Sequence, residues 1–178
     1  MTIFEGVLNP NDNDDLKELY SEITDNGFGN KVPINWFTSQ SLRPDILQST
    51  WDLTRGVLVN GDLPPTLKQL IAVTVSRHNN CRYCTVTHTG ALEALGVPQK
   101  TVDSCINDPD LNDVPVQYRD ILLFALKTSR DPNSLEESDF DTLRENGLSD
   151  GEIMEVVMMV AFTNFINTWA DAAKVEVD

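Results

Sequence analysis

Basic residues are scarce in this chain. Thirteen lysines and arginines stand against 28 aspartates and glutamates, a formal net charge of −15 over 178 residues. Such a surface repels polyanions, which argues against nucleic acid and anionic membrane as partners. Cysteine is scarce too, and an odd count of three does not make the disulfide framework of a small secreted domain. There is no second Cys-x-x-Cys and no His-x-x-x-His. A zinc site on Cys81, Cys84 and His88 would need Cys105 or His78 as its fourth ligand, and three ligands on one helix surround a metal poorly. Long apolar runs are also missing. The most apolar stretch, from Ile153 to Trp169, is interrupted by Glu155, Asn164 and Asn167, which makes a poor membrane span. The opening MTIFEGVLNPNDNDD has neither a basic segment nor an apolar one, so no signal peptide is expected and the expected address is the cytoplasm. No stretch alternates convincingly as a strand. Val73-Thr74-Val75 has strand composition but sits inside a helical period.

What is present reads as helix. Hydrophobic residues make up 40% and charged residues 23%, ordinary globular proportions for a single domain of this length. Residues 14–24 form a short acidic helix, followed by a loop with Gly27, Gly29 and Pro33. After Pro44, apolar residues recur at helical spacing through Leu58, and Asn60-Gly61 ends the run. Pro64-Pro65 starts a second long helix with a wide apolar face. Asn79-Asn80 breaks it, and either asparagine is a cap for a helix from about Cys81 to Leu95, which Gly96 stops. Further helices follow Pro98 and Pro115, and an acidic one covers Ser134 to Glu145. Ser149 and Glu152 form a capping box for a last helix reaching about Val175. The expected fold is all-α. The last helix is apolar nearly all round, so it is either central in a large core or buried between subunits, and the limited interior of a chain this size favours a homo-oligomer.

Cys81, Cys84 and His88 carry the chemistry. Offsets of three and four residues place them on one helix face. A cysteine in the first turn meets unpaired N–H groups and the positive end of the dipole, which favour the thiolate. His88, one turn beyond Cys84, is placed to take its proton. A thiolate, a base and a second thiol are what peroxide reduction needs: attack on the O–O bond, a sulfenic acid, then a disulfide. The plainer alternative is three buried residues sharing a helix. Cys105 reads as a buried residue and His78 as a polar residue near a helix end. Asn164 and Asn167 need polar partners on their apolar helix, and the pocket is one place to find them.

The stretch LKQLIAVTVSRHNNCRYCTVTHTGALEALGV resembles the core of the alkylhydroperoxidase D / carboxymuconolactone decarboxylase family, and more closely its peroxidase-related branch. Pro33 through Leu58 is similar to that branch's lead-in helices, and GLSDGEIMEVVMMVAFTNFINTWADA to its last helix. The resemblance leaves residues 1–30 as an N-terminal extension and 31–178 as the core of one domain. It implies helical trimers or hexamers and a thiol peroxidase working on hydroperoxides without haem, flavin or metal. A dithiol protein or small thiol would return the electrons. By this resemblance Cys84 attacks the peroxide, Cys81 resolves and His88 is the base. The family's relay glutamate, just before a Leu-Ile pair, is Gln69 here, and a histidine found between the cysteines of other members is Tyr83. Glutamine hydrogen-bonds but does not accept a proton at neutral pH. A protein that kept the thiols and lost the catalysis is the alternative this substitution raises. The lactone decarboxylation that names the wider family has no need of a Cys-x-x-Cys pair.

Overall fold

The structure, a computed structural model, describes residues 2–178. All its regular elements are helical: α1 Asp14–Asp25, α2 Asn35–Thr38, α3 Pro44–Thr54, a π-helical turn Arg55–Val59, α4 Pro65–His78, α5 Arg82–Ala94, α6 Gln99–Asn107, α7 Val116–Arg130, a 3₁₀ turn Pro132–Ser134, α8 Glu137–Glu145 and α9 Asp150–Ala172. The fold is all-α, as expected; the described residues contain only an isolated bridge, Gly29 to Pro33.

Local chemistry sets most boundaries. Asn13 caps α1 through its side chain, and Ser149 and Glu152 close the expected capping box at α9. Gly96 ends α5 with φ +73°, a conformation that favours glycine. Three boundaries differ from the sequence reading. The helix after Pro44 does not run evenly to Leu58; it widens into a π turn over Arg55–Val59. The acidic helix begins at Glu137, because Pro132–Ser134 forms a separate 3₁₀ turn and Glu136 with Asp139 makes the capping box. Helix α9 ends at Ala172, before Val175. The short α2 breaks the loop after α1 and was not anticipated.

Helix α4 is the centre of the bundle. It packs against α5, α6, α7 and α9, and it buries Leu67, Lys68 and everything from Leu70 to Ser76. Helix α9 was expected to be covered on all sides. One face, with Ile153, Val156, Met159, Val160 and Ile166, packs inward on α4, α5 and α7. The other leaves Met154, Met158 and Phe165 exposed. Its 23 residues are long and apolar enough to cross a membrane by composition alone, but its packed face belongs to the core.

One buried ion pair ties the π turn to both long helices. Lys68 on α4 is 1% exposed and donates to the Val57 carbonyl at 3.0 Å and to that of Asn60, while pairing with Glu155 of α9 at 2.6 Å. Glu155 also accepts from the backbone N–H of Asp62 at 2.9 Å and of Leu63. Burial raises the Glu155 pKa, but the Lys68 bond and the two N–H groups outweigh it and leave the carboxyl below its ordinary value.

Candidate active site

The turn before α5 sets the geometry. Asn80 takes φ +60°, which asparagine tolerates better than most residues. It delivers Cys81 to the N-cap position, where the Cys81 N–H donates to the Ser76 carbonyl at 3.0 Å. Neither asparagine caps the helix. Cys81 stands one place earlier than the first turn, where an oxygen usually sits. Its sulfur makes no capping hydrogen bond, but the Cys84 thiol and the Cys84 backbone N–H lie near enough to favour its thiolate. The neighbouring Cys84 thiol is the main reason the Cys81 pKa is lowered, with burial opposing it. The Cys84 pKa is raised, first by the Cys81 sulfur beside it and then by burial. Of the pair, Cys81 is the more readily ionised and Cys84 holds its proton more tightly. Both cysteines are free and buried.

Only one of the two thiols borders open space. A cavity of about 480 Å³ is lined by Cys84, His88, Gln69 and Tyr83 among largely apolar residues, with Phe28, Trp36, Phe37 and Phe162 supplying aromatic wall. Cys81, 0% exposed, does not line it. No charged side chain does. Phe28, Trp36 and Phe37 meet edge-to-face, with Phe28–Phe37 centroids 5.6 Å apart and Trp36–Phe37 centroids 5.0 Å apart. Sequence reasoning had not singled these residues out. The available signal was three aromatics close together in a stretch otherwise rich in glycine and polar residues.

His88 lies one turn beyond Cys84 on α5 and opens onto the same cavity. Its Nδ1 is 2.7 Å from Gln69 Oε1. An amide oxygen only accepts, so Nδ1 carries the proton and Nε2 keeps a lone pair, with no partner among the described residues. Burial lowers the His88 pKa to about 4, so the ring is neutral near pH 7. Gln69 fixes the ring and its tautomer but supplies no charge. Tyr83 accepts from the Trp36 N–H at 3.1 Å and donates to Asp178 at 2.8 Å, anchoring the cavity wall.

Asn164 and Asn167 are not among the residues lining the cavity. They stand behind the thiols, where the Asn79 amide donates to both at 2.8 and 2.9 Å and Asn167 donates to Ser76 at 2.9 Å. Asn167 also lies near Cys84, where it opposes the rise in the thiol's pKa. His78 lies against Arg130, beside a different cavity that also holds Cys105. Among the described residues, no group of three or more His, Cys, Asp and Glu side chains is placed to hold a metal.

The fold and this site define a helical protein with a Cys-x-x-Cys pair at a helix start, one sulfur facing an apolar cavity. Residues 44–108 match the carboxymuconolactone decarboxylase family. The chain is similar to the alkylhydroperoxidase AhpD core of Ralstonia eutropha JMP134, a peroxidase-related protein. Identity is 25%, the match covers 93% of this chain and 86% of that one, and the TM-score is 0.83. A peroxidase-related protein from Silicibacter sp. TM1040 matches 99% of this chain and 92% of its own at 21% identity, with TM-score 0.88. The debrominase Bmp8, in a cysteine-to-alanine variant with 2,3,4-tribromopyrrole, matches 100% of this chain and 93% of its own at 21% identity, with TM-score 0.81. No curated protein matches the chain. The family match is thus confined to residues 44–108, and over its whole length the chain has the fold of the alkylhydroperoxidase-like, peroxidase-related proteins.

Proposed function

We propose that the protein is a thiol-dependent peroxidase that reduces organic hydroperoxides through a Cys81–Cys84 disulfide cycle. The observation that carries this reading is the asymmetric pair. Cys84 borders the cavity beside His88, while Cys81 sits behind it within hydrogen-bonding reach. In the cycle, His88 Nε2 accepts the Cys84 proton. The thiolate attacks the distal peroxide oxygen, the O–O bond breaks, and the alkoxide leaves as the alcohol with the proton from His88. Cys84 is now a sulfenic acid. The Cys81 thiolate attacks that sulfur and hydroxide leaves as water, its proton coming from solvent. A dithiol then takes up the disulfide's oxidising equivalents and restores both cysteines.

The apolar, uncharged lining favours a hydroperoxide with a bulky organic group. With Gln69 on Nδ1, His88 is a weak base, so the proposed enzyme is slower than one with a carboxylate there. The likeness to a debrominase at 21% identity carries the fold and not its reaction. The test is a thiol count with intact mass before and after one equivalent of cumene hydroperoxide. Wild type should lose two thiols and two hydrogens. Cys84→Ser should lose neither, and Cys81→Ser should stop at a sulfenic acid that dimedone traps. Two intact thiols in excess hydroperoxide would end the peroxidase reading.

A further inference from the structure

On the far side of the turn that carries the thiols lies a second cavity, of about 300 Å³, built from α4, α6 and α7. Its rim is basic in a protein of net charge −15. Arg77, His78 and Arg130 line it together. Neither arginine has a carboxylate partner among the described residues. Arg77 uses Nε on the Ile106 carbonyl at 3.1 Å, and its two terminal amino groups have no partner there. Arg130 donates Nε to His78 Nε2 at 3.0 Å, with Nη2 3.1 Å from Nδ1, and its Nη1 is unpartnered among the described residues. Asp108 is the one carboxylate in the lining, and it is already engaged by the N–H groups of Asp110 and Asn112 and by the Ser104 hydroxyl. The wall also holds Thr74, 3% exposed, whose hydroxyl faces the weakly bonding Cys105 thiol and has no partner in hydrogen-bonding geometry. Ile106, Pro109, Leu111 and Leu126 supply its apolar wall, and Asn80 and Asn107 complete the lining.

We propose that this cavity binds a small organic anion, with its anionic oxygens on Arg77 and Arg130 and an apolar body against Ile106, Leu111 and Leu126. Three features favour that class. Unpaired guanidinium groups with outward N–H donors match planar or tetrahedral oxyanions. The volume is at the lower end of organic ligand sites and far exceeds one inorganic ion. The buried Thr74 hydroxyl offers a further polar contact in the wall. The acidic remainder of the surface does not forbid it, because charges beyond roughly 10 Å are screened in physiological salt.

The probes are phenyl phosphate and benzoate, with benzamide as the uncharged match and inorganic phosphate as the bodiless one. Each is titrated into the full-length reduced protein and followed by amide NMR shifts. Saturable binding of phenyl phosphate or benzoate is expected, with shifts centred on residues 74–80, 105–111 and 126–130. Arg77→Gln and Arg130→Gln should each weaken it by roughly tenfold or more, the loss of a charge-assisted bond. Both side chains are exposed, and an unchanged melting temperature would confirm that the variants fold. Benzamide binding as tightly as benzoate would overturn the anion assignment. Inorganic phosphate binding as tightly as phenyl phosphate would overturn the organic body. No saturable binding up to solubility, or binding unaffected by both variants, would overturn the site.

Discussion

Replacing Gln69 by glutamate tests whether His88 is the base. The amide oxygen lies 2.7 Å from His88 Nδ1, so a carboxylate in its place would face the same N–H as an anion. A charge of opposite sign at this range raises a histidine pKa by about 1–3 units. The ring starts from about 4, where burial has put it. Each unit is worth about 1.4 kcal/mol in proton affinity. If about half of that is expressed in the transition state, oxidation of Cys84 should quicken by roughly 3- to 30-fold. The assay is single-turnover oxidation of reduced protein by cumene hydroperoxide in stopped flow, paired with an NMR titration of the His88 ring in wild type and Gln69→Glu. The decisive refutation is specific. If the ring pKa rises by a unit or more and the oxidation rate does not move, His88 is not the base. A ring pKa that stays near 4 would instead refute the contact from which the magnitude was worked.

The same buried ring makes stability depend on pH. His88 is held below its unfolded pKa, so the unfolded chain binds the extra proton between pH 6.5 and about 4, and stability falls as pH drops through that window. The full loss is about 3 kcal/mol; urea unfolding at pH 7 and pH 4.5 should show most of it, and His88→Gln should flatten the slope. Glu155→Ala strands the Lys68 ammonium in the core and should cost about 3–5 kcal/mol in urea unfolding, whereas Lys68→Met with Glu155→Leu should recover most of it; equal losses in the single and double variants would contradict this. Gly61 has φ +104° and faces the Glu155 carboxylate where a Cβ would fall, so Gly61→Ala should cost about 1–3 kcal/mol. Ala91→Phe narrows the cavity one turn past His88 and should slow cumene hydroperoxide by roughly tenfold while sparing hydrogen peroxide; equal slowing of both would mean the cavity is not the substrate's path.

The thiol cluster was legible in the sequence because its logic is local. Cys81, Cys84 and His88 obey a helical spacing, and that spacing survives any packing. Gln69 was legible only through resemblance, since its contact with His88 joins two helices. The exact seat of Cys81 was not legible. Asn79 and Asn80 are both good caps, and what decides the matter is tertiary: the Asn79 amide is drawn to Asn164 and Asn167 on α9. The π turn escaped for a similar reason, because Lys68 from the next helix holds the Val57 carbonyl within it and the Asn60 carbonyl just after it. Composition offered α9 either the centre of the core or a subunit interface, and within the chain the contacts put α4 at the centre, surrounded by four helices. The aromatic wall was hidden because Phe28, Trp36 and Phe37 come from the loop and the short α2.

The unequal seating of the two sulfurs has a kinetic consequence. Once the disulfide forms, the only sulfur within reach from the cavity is that of Cys84. A reducing thiol attacking there expels Cys81, whose leaving thiolate faces the Cys84 backbone N–H at the start of α5. Approach and departure thus favour the same direction of opening. Oxidant and reductant must also use one doorway in turn. Under the proposed cycle, each would occupy the enzyme form meant for the other, and steady-state rates should fall when either is supplied in large excess.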